Sequence, residues 1–515
     1  MNDKTAVRNI MSYIGAYLVK TILGFIVRRH FAAYLGQNVM GLNALMTSVI
    51  SMLSLMEMGV GTAIGFSLYR PLQEGDENAI RGIMNIFRKV YTCVAILVLA
   101  IGLLITPVMF FLVDQSLPNH YVFRIYLLFL LDTASSYLIS YRRVIIQSDK
   151  KAFVINNVDL IAFAAMSLGQ LAVMQSKNGF EKYLLIKMAC VVAANVYLWY
   201  RSGRDYPFLR KKQKIELDQK YKAEILKNVK ALFVINIASY FVFGTDNLLL
   251  TGFGSLTATA IYSGYSMIVG VVNNVFNRVF SSITANLGHF LLMHTDQENY
   301  SLFQKLFFLN FVIETFVSAF MLVLFNDVIT LWLGAEYIWE MPLVIIIVLN
   351  NYCRQMTQCS EAFRGAKGLY SPRKWVKYLA LLEGITNIVF SVLLIKLTGL
   401  VEYGVFLGTT ISTVAATVGV PYVVQRYLFN RDLREYFSKY IRYFISSFLC
   451  CGIALTLCCQ VNIESSIVRV ASKIFITGFV FAVCIGTVYF RNPEFRFWIK
   501  QFRSMLMKRG NRNDR

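Results

Sequence analysis

Apolar residues in this chain come neither as alternating positions nor as narrow helical stripes. They form continuous blocks of about 20, each long enough to cross a bilayer as a helix, separated by short polar breaks. The breaks predict fourteen spans. The first seven lie at about 10 to 33, 40 to 68, 88 to 113, 123 to 146, 154 to 175, 183 to 200 and 230 to 251. The second seven lie at about 259 to 288, 304 to 326, 341 to 363, 375 to 396, 403 to 428, 442 to 460 and 467 to 490. Ten-residue alternating strands are not the pattern, so a closed barrel is excluded and an all-α polytopic membrane protein is expected.

Composition agrees: of 515 residues, 57% are hydrophobic and 16% charged, and the mean hydropathy is +0.54. That balance argues against a soluble fold, disorder and nucleic-acid binding. The net charge of +22 is then read as topology. With fourteen spans, and with residues near a span end counted with the loop it adjoins, both tails and the even-numbered loops hold 39 of the 51 Lys and Arg residues, and the opposite loops hold 9. The remaining three, Lys20, Arg278 and Arg354, lie well inside spans, away from either end. The positive-inside rule therefore puts both termini in the cytoplasm, with the stretch Arg201 to Lys230 and the tail after Arg491 carrying most of the weight. The first apolar block is too long for a cleavable signal, carries Lys20 and lacks a small-residue cleavage pattern, so it is expected to remain as a span. All nine cysteines fall within spans, which implies no disulfide framework and makes them packing residues.

The two halves share landmarks. Arg8-Asn9 and Lys227-Asn228 open the first and seventh spans, Phe87-Arg88-Lys89 and Phe303-Gln304-Lys305 the third and ninth, and Arg143 and Arg364 close the fourth and tenth. The offsets are all close to 220 residues, which is six spans. The expected organisation is a six-helix lobe over 1–200, a basic linker over 201–229, and a second six-helix lobe over 230–428. Helices 13 and 14 follow over 429–490, then a basic tail over 491–515.

Polar residues inside spans are costly and mark cavities or partners. On the first span, Asn9, Tyr13, Tyr17, Lys20, Gly24 and Arg28 share one face. The second aligns Asn43, Thr47, Ser54 and Gly61 with Glu57 at the edge; the fourth aligns Asp132, Ser136 and Arg143. In the second half, Asn236, Tyr240 and Asn247 align beside Asp246, Asn274, Asn277 and Ser281 beside Arg278, and Asn350, Arg354, Thr357 and Glu361 form a further stripe. A single Asn or Ser is best read as a hydrogen bond between helices. Guanidinium groups are poor packing material, so Arg28, Arg278 and Arg354 are read as functional; Arg29 points off the stripe and either replaces Arg28 or snorkels to the interface.

Fixed guanidinium groups suit phosphate or diphosphate, which they bind with paired hydrogen bonds, while tyrosines and amides suit sugars. The candidate binding residues are therefore Arg28, Arg278, Arg354, Lys20, Tyr13, Tyr17, Asn277 and Asn43. Catalysis is not indicated: there is no Walker loop, zinc motif or nucleophile elbow, and His289 and His294 do not share a helix face. No cofactor or metal is expected. The Gly61-xxx-Gly65 and Gly404-xxx-Gly408 spacings predict close helix packing.

The segment Tyr34-Leu-Gly-Gln-Asn-Val-Met-Gly-Leu-Asn-Ala-Leu, continuing through Ser54-Leu-Met-Glu-Met-Gly-Val-Gly-Thr-Ala-Ile to Phe66-Ser-Leu-Tyr-Arg-Pro-Leu, resembles bacterial polysaccharide exporters. These are the oligosaccharide-lipid flippases of the multidrug/oligosaccharidyl-lipid/polysaccharide superfamily, which also holds the MATE transporters. Tyr141-Arg-Arg, Gln147-Ser-Asp-Lys-Lys, Thr245-Asp-Asn-Leu-Leu-Leu and Tyr262-Ser-Gly-Tyr extend the resemblance. It implies two six-helix lobes around a central cavity, and alternating access for an undecaprenyl-diphosphate-linked glycan. It also implies lumenal arginines on the first and eighth helices, which Arg28 and Arg278 match by position. Partners would be the lipid-linked oligosaccharide, membrane lipids and other polysaccharide assembly proteins. Transport would be driven by the membrane potential or coupled to protons or sodium, with Glu57, Asp132, Asp246 and Glu314 as carriers and the first two ranked highest. The alternatives are a multidrug or cation antiporter and a membrane glycan polymerase. Arginine-rich stripes argue against the first; external loops of about fifteen residues at most argue against the second.

Overall fold

The computed structural model describes residues 3–54, 60–113, 117–210, 244–369, 376–461 and 463–513. Among them, every regular element is helical: α1 (Asp3–Leu53), α2 (Val60–Glu74), α3 (Glu77–Leu104), α4 (Thr106–Val113), α5 (Asn119–Ser140), α6 (Arg143–Ser148), α7 (Ala152–Val173), α8 (Gly179–Asp205) and α9 (Asp246–Phe253). There follow α10 (Leu256–Met293), α11 (Asp296–Trp332), α12 (Met341–Gln355), α13 (Gln358–Lys367), α14 (Leu379–Thr398), α15 (Val401–Tyr427), α16 (Leu433–Cys459), α17 (Ser466–Tyr489) and α18 (Pro493–Asn513). Ten helices among the described residues are long and apolar enough to cross a membrane. Large apolar side chains stand outward, with Phe111 80%, Phe475 76% and Leu292 77% exposed, as lipid contact requires and water would penalise. The chain is a multi-pass membrane protein.

Several predicted spans are broken rather than continuous. The first two are joined without a loop in α1, which turns at Gly36 with φ 77° and ψ 176°. The fourth breaks at Tyr141 and Arg142 between α5 and α6, and the tenth at Met356 and Thr357 between α12 and α13. Of the seventh, only the end is described, as α9, and most of the basic linker lies outside the described residues.

The chain divides into two compact units, Met1–Ser263 and Gly264–Arg515. In the first, α1 packs on α7, α7 on α8, and α3 and α8 on α5. Asn9 fixes the start of α7, its amide donating to the Lys150 carbonyl and accepting from Phe153 N–H, both at 2.9 Å. Next to it, buried Tyr206 donates to Asp149 Oδ2 at 2.6 Å, and Lys151 Nζ is 2.7 Å from the same oxygen. Burial and the adjoining carboxylate raise the Tyr206 pKa well above that of a free phenol.

The second unit is built on α11, opened by a capping box in which Thr295 and Glu298 satisfy each other's backbone N–H. Its Phe303, Phe307, Phe308 and Phe311 anchor an aromatic core with Tyr436, Tyr443 and Tyr489, Phe311 stacking on Tyr443 at 4.3 Å. In the α14–α15 hairpin, Gly404 and Gly408 lie against the backbone of Ile395 and Ser391, where an added Cβ would approach Ile395 N to 2.8 Å and Ser391 N to 2.6 Å. The close packing expected from that spacing is present. Gly65 of the other pair has only ordinary contacts, with Val144 and Ser148 at 3.7 and 3.6 Å. The basic tail forms α18, tied down where Trp498 Nε1 donates to the Lys305 carbonyl at 2.9 Å.

Candidate functional site

The polar stripe of α1 sorts itself by depth. Asn9 and Ser12 are structural, Ser12 donating to Asn157 Oδ1 at 2.7 Å. Tyr13 and Tyr17 stack at 6.2 Å and are partly exposed, and Lys20 Nζ lies 6.0 Å from the Phe163 ring. Arg28, three turns past Tyr17, donates to the Ser263 hydroxyl, which in turn donates to the Ala260 carbonyl at 2.6 Å. The charge of Arg28 also acts on the Tyr183 phenol. Tyr183 belongs to an aromatic group with Phe31 and Phe180, whose rings are 5.2 and 6.1 Å from its own. Arg29 is exposed on another face. The first unit thus holds a guanidinium, two hydroxyls and aromatic faces in one place, able to hold an anion and stack a ring.

Sequence reasoning singled out Arg28 but not its surroundings. Gln170, buried and donating to the Tyr183 carbonyl at 3.4 Å, carried a readable signal as a polar residue within an apolar span. Ser263 and Tyr183 carried none of that kind, since a hydroxyl in a span is commonplace.

In the second unit, α10 presents Asn274, Asn277, Arg278 and Ser281 as an exposed stripe. Arg354 is committed to Glu383 of α14 as a partly buried ion pair, and Glu361 pairs with Arg364 at 2.8 Å. Asn43 is partly buried. In the first unit, Asp132 pairs with Lys187 at 3.1 Å, and buried Asp246 accepts from the Tyr262 hydroxyl at 3.0 Å. Arg143 makes a two-pronged pair with Asp159 at 3.0 and 2.8 Å and donates to Asn195 at 2.7 Å. Glu314 is fully buried in α11. Glu57, Asn236 and Tyr240 lie outside the described residues. Among the described residues no group of three or more His, Cys, Asp or Glu could hold a metal ion, and all nine cysteines are free thiols.

This is the fold of the multidrug/oligosaccharidyl-lipid/polysaccharide (MOP) transporters. An inward-closed structure of the lipid II flippase MurJ matches with TM-score 0.66 at 16% identity, over 93% of this chain and 99% of that one. An inward-facing multidrug resistance MATE transporter of the MOP superfamily matches with TM-score 0.56 at 14% identity, over 81% of this chain and 97% of that one. The Vibrio cholerae MATE transporter VcmN, as a point mutant, matches with TM-score 0.54 at 13% identity, over 84% of this chain and 98% of that one. No family model matches the chain, and neither does any curated protein. At these identities the likeness is one of fold, and the proteins that share it are flippases and transporters, not enzymes.

Proposed function

We propose that the protein is a flippase that moves an undecaprenyl-diphosphate-linked oligosaccharide from the inner to the outer leaflet of the bacterial cytoplasmic membrane, for cell-surface polysaccharide synthesis. The observation that carries this reading is the exposed stripe of Asn274, Asn277, Arg278 and Ser281 within α10, a 38-residue helix that runs through the expected eighth span. Such a stripe is not tolerated against lipid, so it lines a water-filled path. Its one charge is a guanidinium, and Arg28 brings a second at span depth. Both select an anionic head group of the diphosphate type, and amides and hydroxyls beside them serve sugars. The fold shared with a lipid II flippase supports a lipid-borne cargo.

In this mechanism six-helix lobes over 1–200 and 230–428 alternate access around a cavity that takes the diphosphate and sugars while the polyprenyl chain stays in lipid. Both termini are cytoplasmic, because 39 of the 51 basic residues then fall on that side. Arg28 and Arg278 grip the diphosphate; Tyr13, Tyr17, Lys20, Asn43 and Asn277 contact the glycan. Arg354, held by Glu383, would serve only if that pair opens.

The test is Arg278→Ala in the native host. Surface polysaccharide is expected to disappear with protein abundance and membrane insertion unchanged, and Arg278→Lys is expected to rescue it only in part, because a point charge replaces paired donors. Normal polymer in the alanine variant would remove Arg278 from the mechanism. The multidrug antiporter reading draws on the fold shared with a MATE transporter. Protection of a sensitive host against cationic dyes, with polymer unaffected, would favour it.

A further inference from the structure

Arg142 stands at the break between α5 and α6 and is only 8% exposed. Its guanidinium lies over the Trp199 ring of α8, 4.5 Å from the centroid, and donates to the Tyr141 hydroxyl at 3.3 Å and the Trp199 carbonyl at 3.4 Å. These partners are neutral, and they use two of its five N–H donors, leaving three. Asp149, Asp159 and Asp205 of the neighbouring segments are engaged by Lys151 and Tyr206, by Arg143 and by Arg201. A buried guanidinium held by neutral groups alone is costly unless an anion joins it.

What gathers around Arg142 is more positive charge. A cavity of about 50 Å³ is lined by Arg142, Tyr141, Leu209 and, from one face of α3, Arg81, Asn85 and Arg88. Arg81 is itself 6% exposed. On the α8 side, the point where a side chain at Gly203 would begin is 3.2 Å from both Arg142 Nη1 and Arg210 Nε, so two cations share the space over a glycine. Arg210 ends the short 3-10 turn Pro207–Arg210, which packs on α8 and α3. The positive-inside rule calls for basic residues in the loops of one side; it does not call for their burial or their convergence. Among the described residues no carboxylate lines the cavity, and its volume is several times the roughly 10–15 Å³ that one water needs. Converging guanidinium forks with spare donors suit a group with several anionic oxygens, which is a phosphate.

We propose that Arg142, with Arg81 and Arg88 of α3 and Arg210 after α8, forms a phosphate-binding site at one end of the first unit. The phosphate is either a free ion or the headgroup of an anionic lipid, the kind of group that basic pockets between helices take on a cytoplasmic face. That such a lipid would sit in the inner leaflet rests on the orientation proposed above; binding of the phosphate does not. The site is separate from Arg28: Tyr183, on which Arg28 acts, and Trp199 are 16 residues apart on α8, about 24 Å along its axis.

The experiment measures the thermal midpoint of the purified full chain in detergent. Inorganic phosphate is titrated against chloride at constant ionic strength and pH, and separately phosphatidylglycerol against phosphatidylcholine in the micelles. A site open to the free ion raises the midpoint in phosphate; one reached only by a headgroup raises it in phosphatidylglycerol alone. In either case Arg142→Gln is expected to abolish the rise. Arg88→Gln, at an exposed position, is expected to shift it to about tenfold higher ligand concentration. Arg204→Gln removes the same charge from the exposed end of α8, outside the cavity lining, and is expected to respond as the wild type does. If Arg142→Gln does not fold, Arg88→Gln and Arg204→Gln decide. A wild-type midpoint indifferent to both ligands overturns the site. So does a wild-type response in Arg88→Gln or in a folded Arg142→Gln, and so does an equal loss in Arg204→Gln, which would mean diffuse surface charge. A chain that keeps the response but moves no lipid-linked glycan would overturn the proposed function and leave the site standing.

Discussion

A guanidinium carried into a bilayer has to be compensated, and the arginines at span depth are compensated in different ways. Arg143 is matched on all its prongs by Asp159 and Asn195, Arg354 is paired with Glu383, Arg28 leans on a hydroxyl, and Arg278 stands exposed. The first two hold helices together, and the last two are the ones that the proposed mechanism gives to the ligand. Arg143→Ala would strand Asp159 and Asn195 without their donor and is expected to cost about 1–3 kcal/mol, read as a lower thermal midpoint and lower abundance. An unchanged midpoint would deny the pair a structural role. Which arginines matter was partly legible in the sequence, because helical periodicity shows which residues share a face. It does not show what lies opposite that face. Asp159, Ser263 and Glu383 come from distant segments, so the sequence put Arg354 and Arg28 on the same footing. Nothing local announces Lys187 as the partner of Asp132 either, since it comes from another helix.

The helices themselves were the most legible level, because a block of about 20 apolar residues has no stable home except a span. What the blocks concealed is where they break. Tyr141–Arg142 and Met356–Thr357 interrupt two spans with no glycine or proline to mark them, while Pro71 and Pro421 sit inside continuous helices. The two unmarked breaks fall near the expected repeat offset, in the fourth span and the tenth. Small-residue spacing was legible but ambiguous, and the two cases differ in sign. Gly408→Ala pushes a methyl group into the backbone of Ser391 and is expected to destabilise by about 1–3 kcal/mol. Gly65→Ala has room beside Val144 and Ser148 and is expected to stabilise α2 by about 0.5–1 kcal/mol. Thermal midpoints of the two variants in one detergent test both signs; a fall for Gly65→Ala would mean that helix approaches its neighbours more closely than described.

For the molecule as a whole, the excess of +22 bears mostly on orientation. Orientation in turn sets the sign of the driving force. An anionic head group moving outward across an inside-negative membrane gains about 2.3 kcal/mol per charge per 100 mV. In proteoliposomes with an inside-negative potential, flipping of a diphosphate-linked glycan is expected to slow when valinomycin and equal potassium collapse it, and to recover when it is restored. A rate indifferent to potential would leave the work to a coupled cation. The joint in α1 adds a constraint of another kind, one of handedness. With φ 77° and ψ 176°, Gly36 holds the mirror image of an ordinary extended backbone, and nothing lies within 4 Å of where a side chain would begin. Any L-residue there pays about 1–3 kcal/mol for its chirality alone. Alanine and leucine should therefore be equally unwelcome, and a D-amino acid would fit in glycine's place.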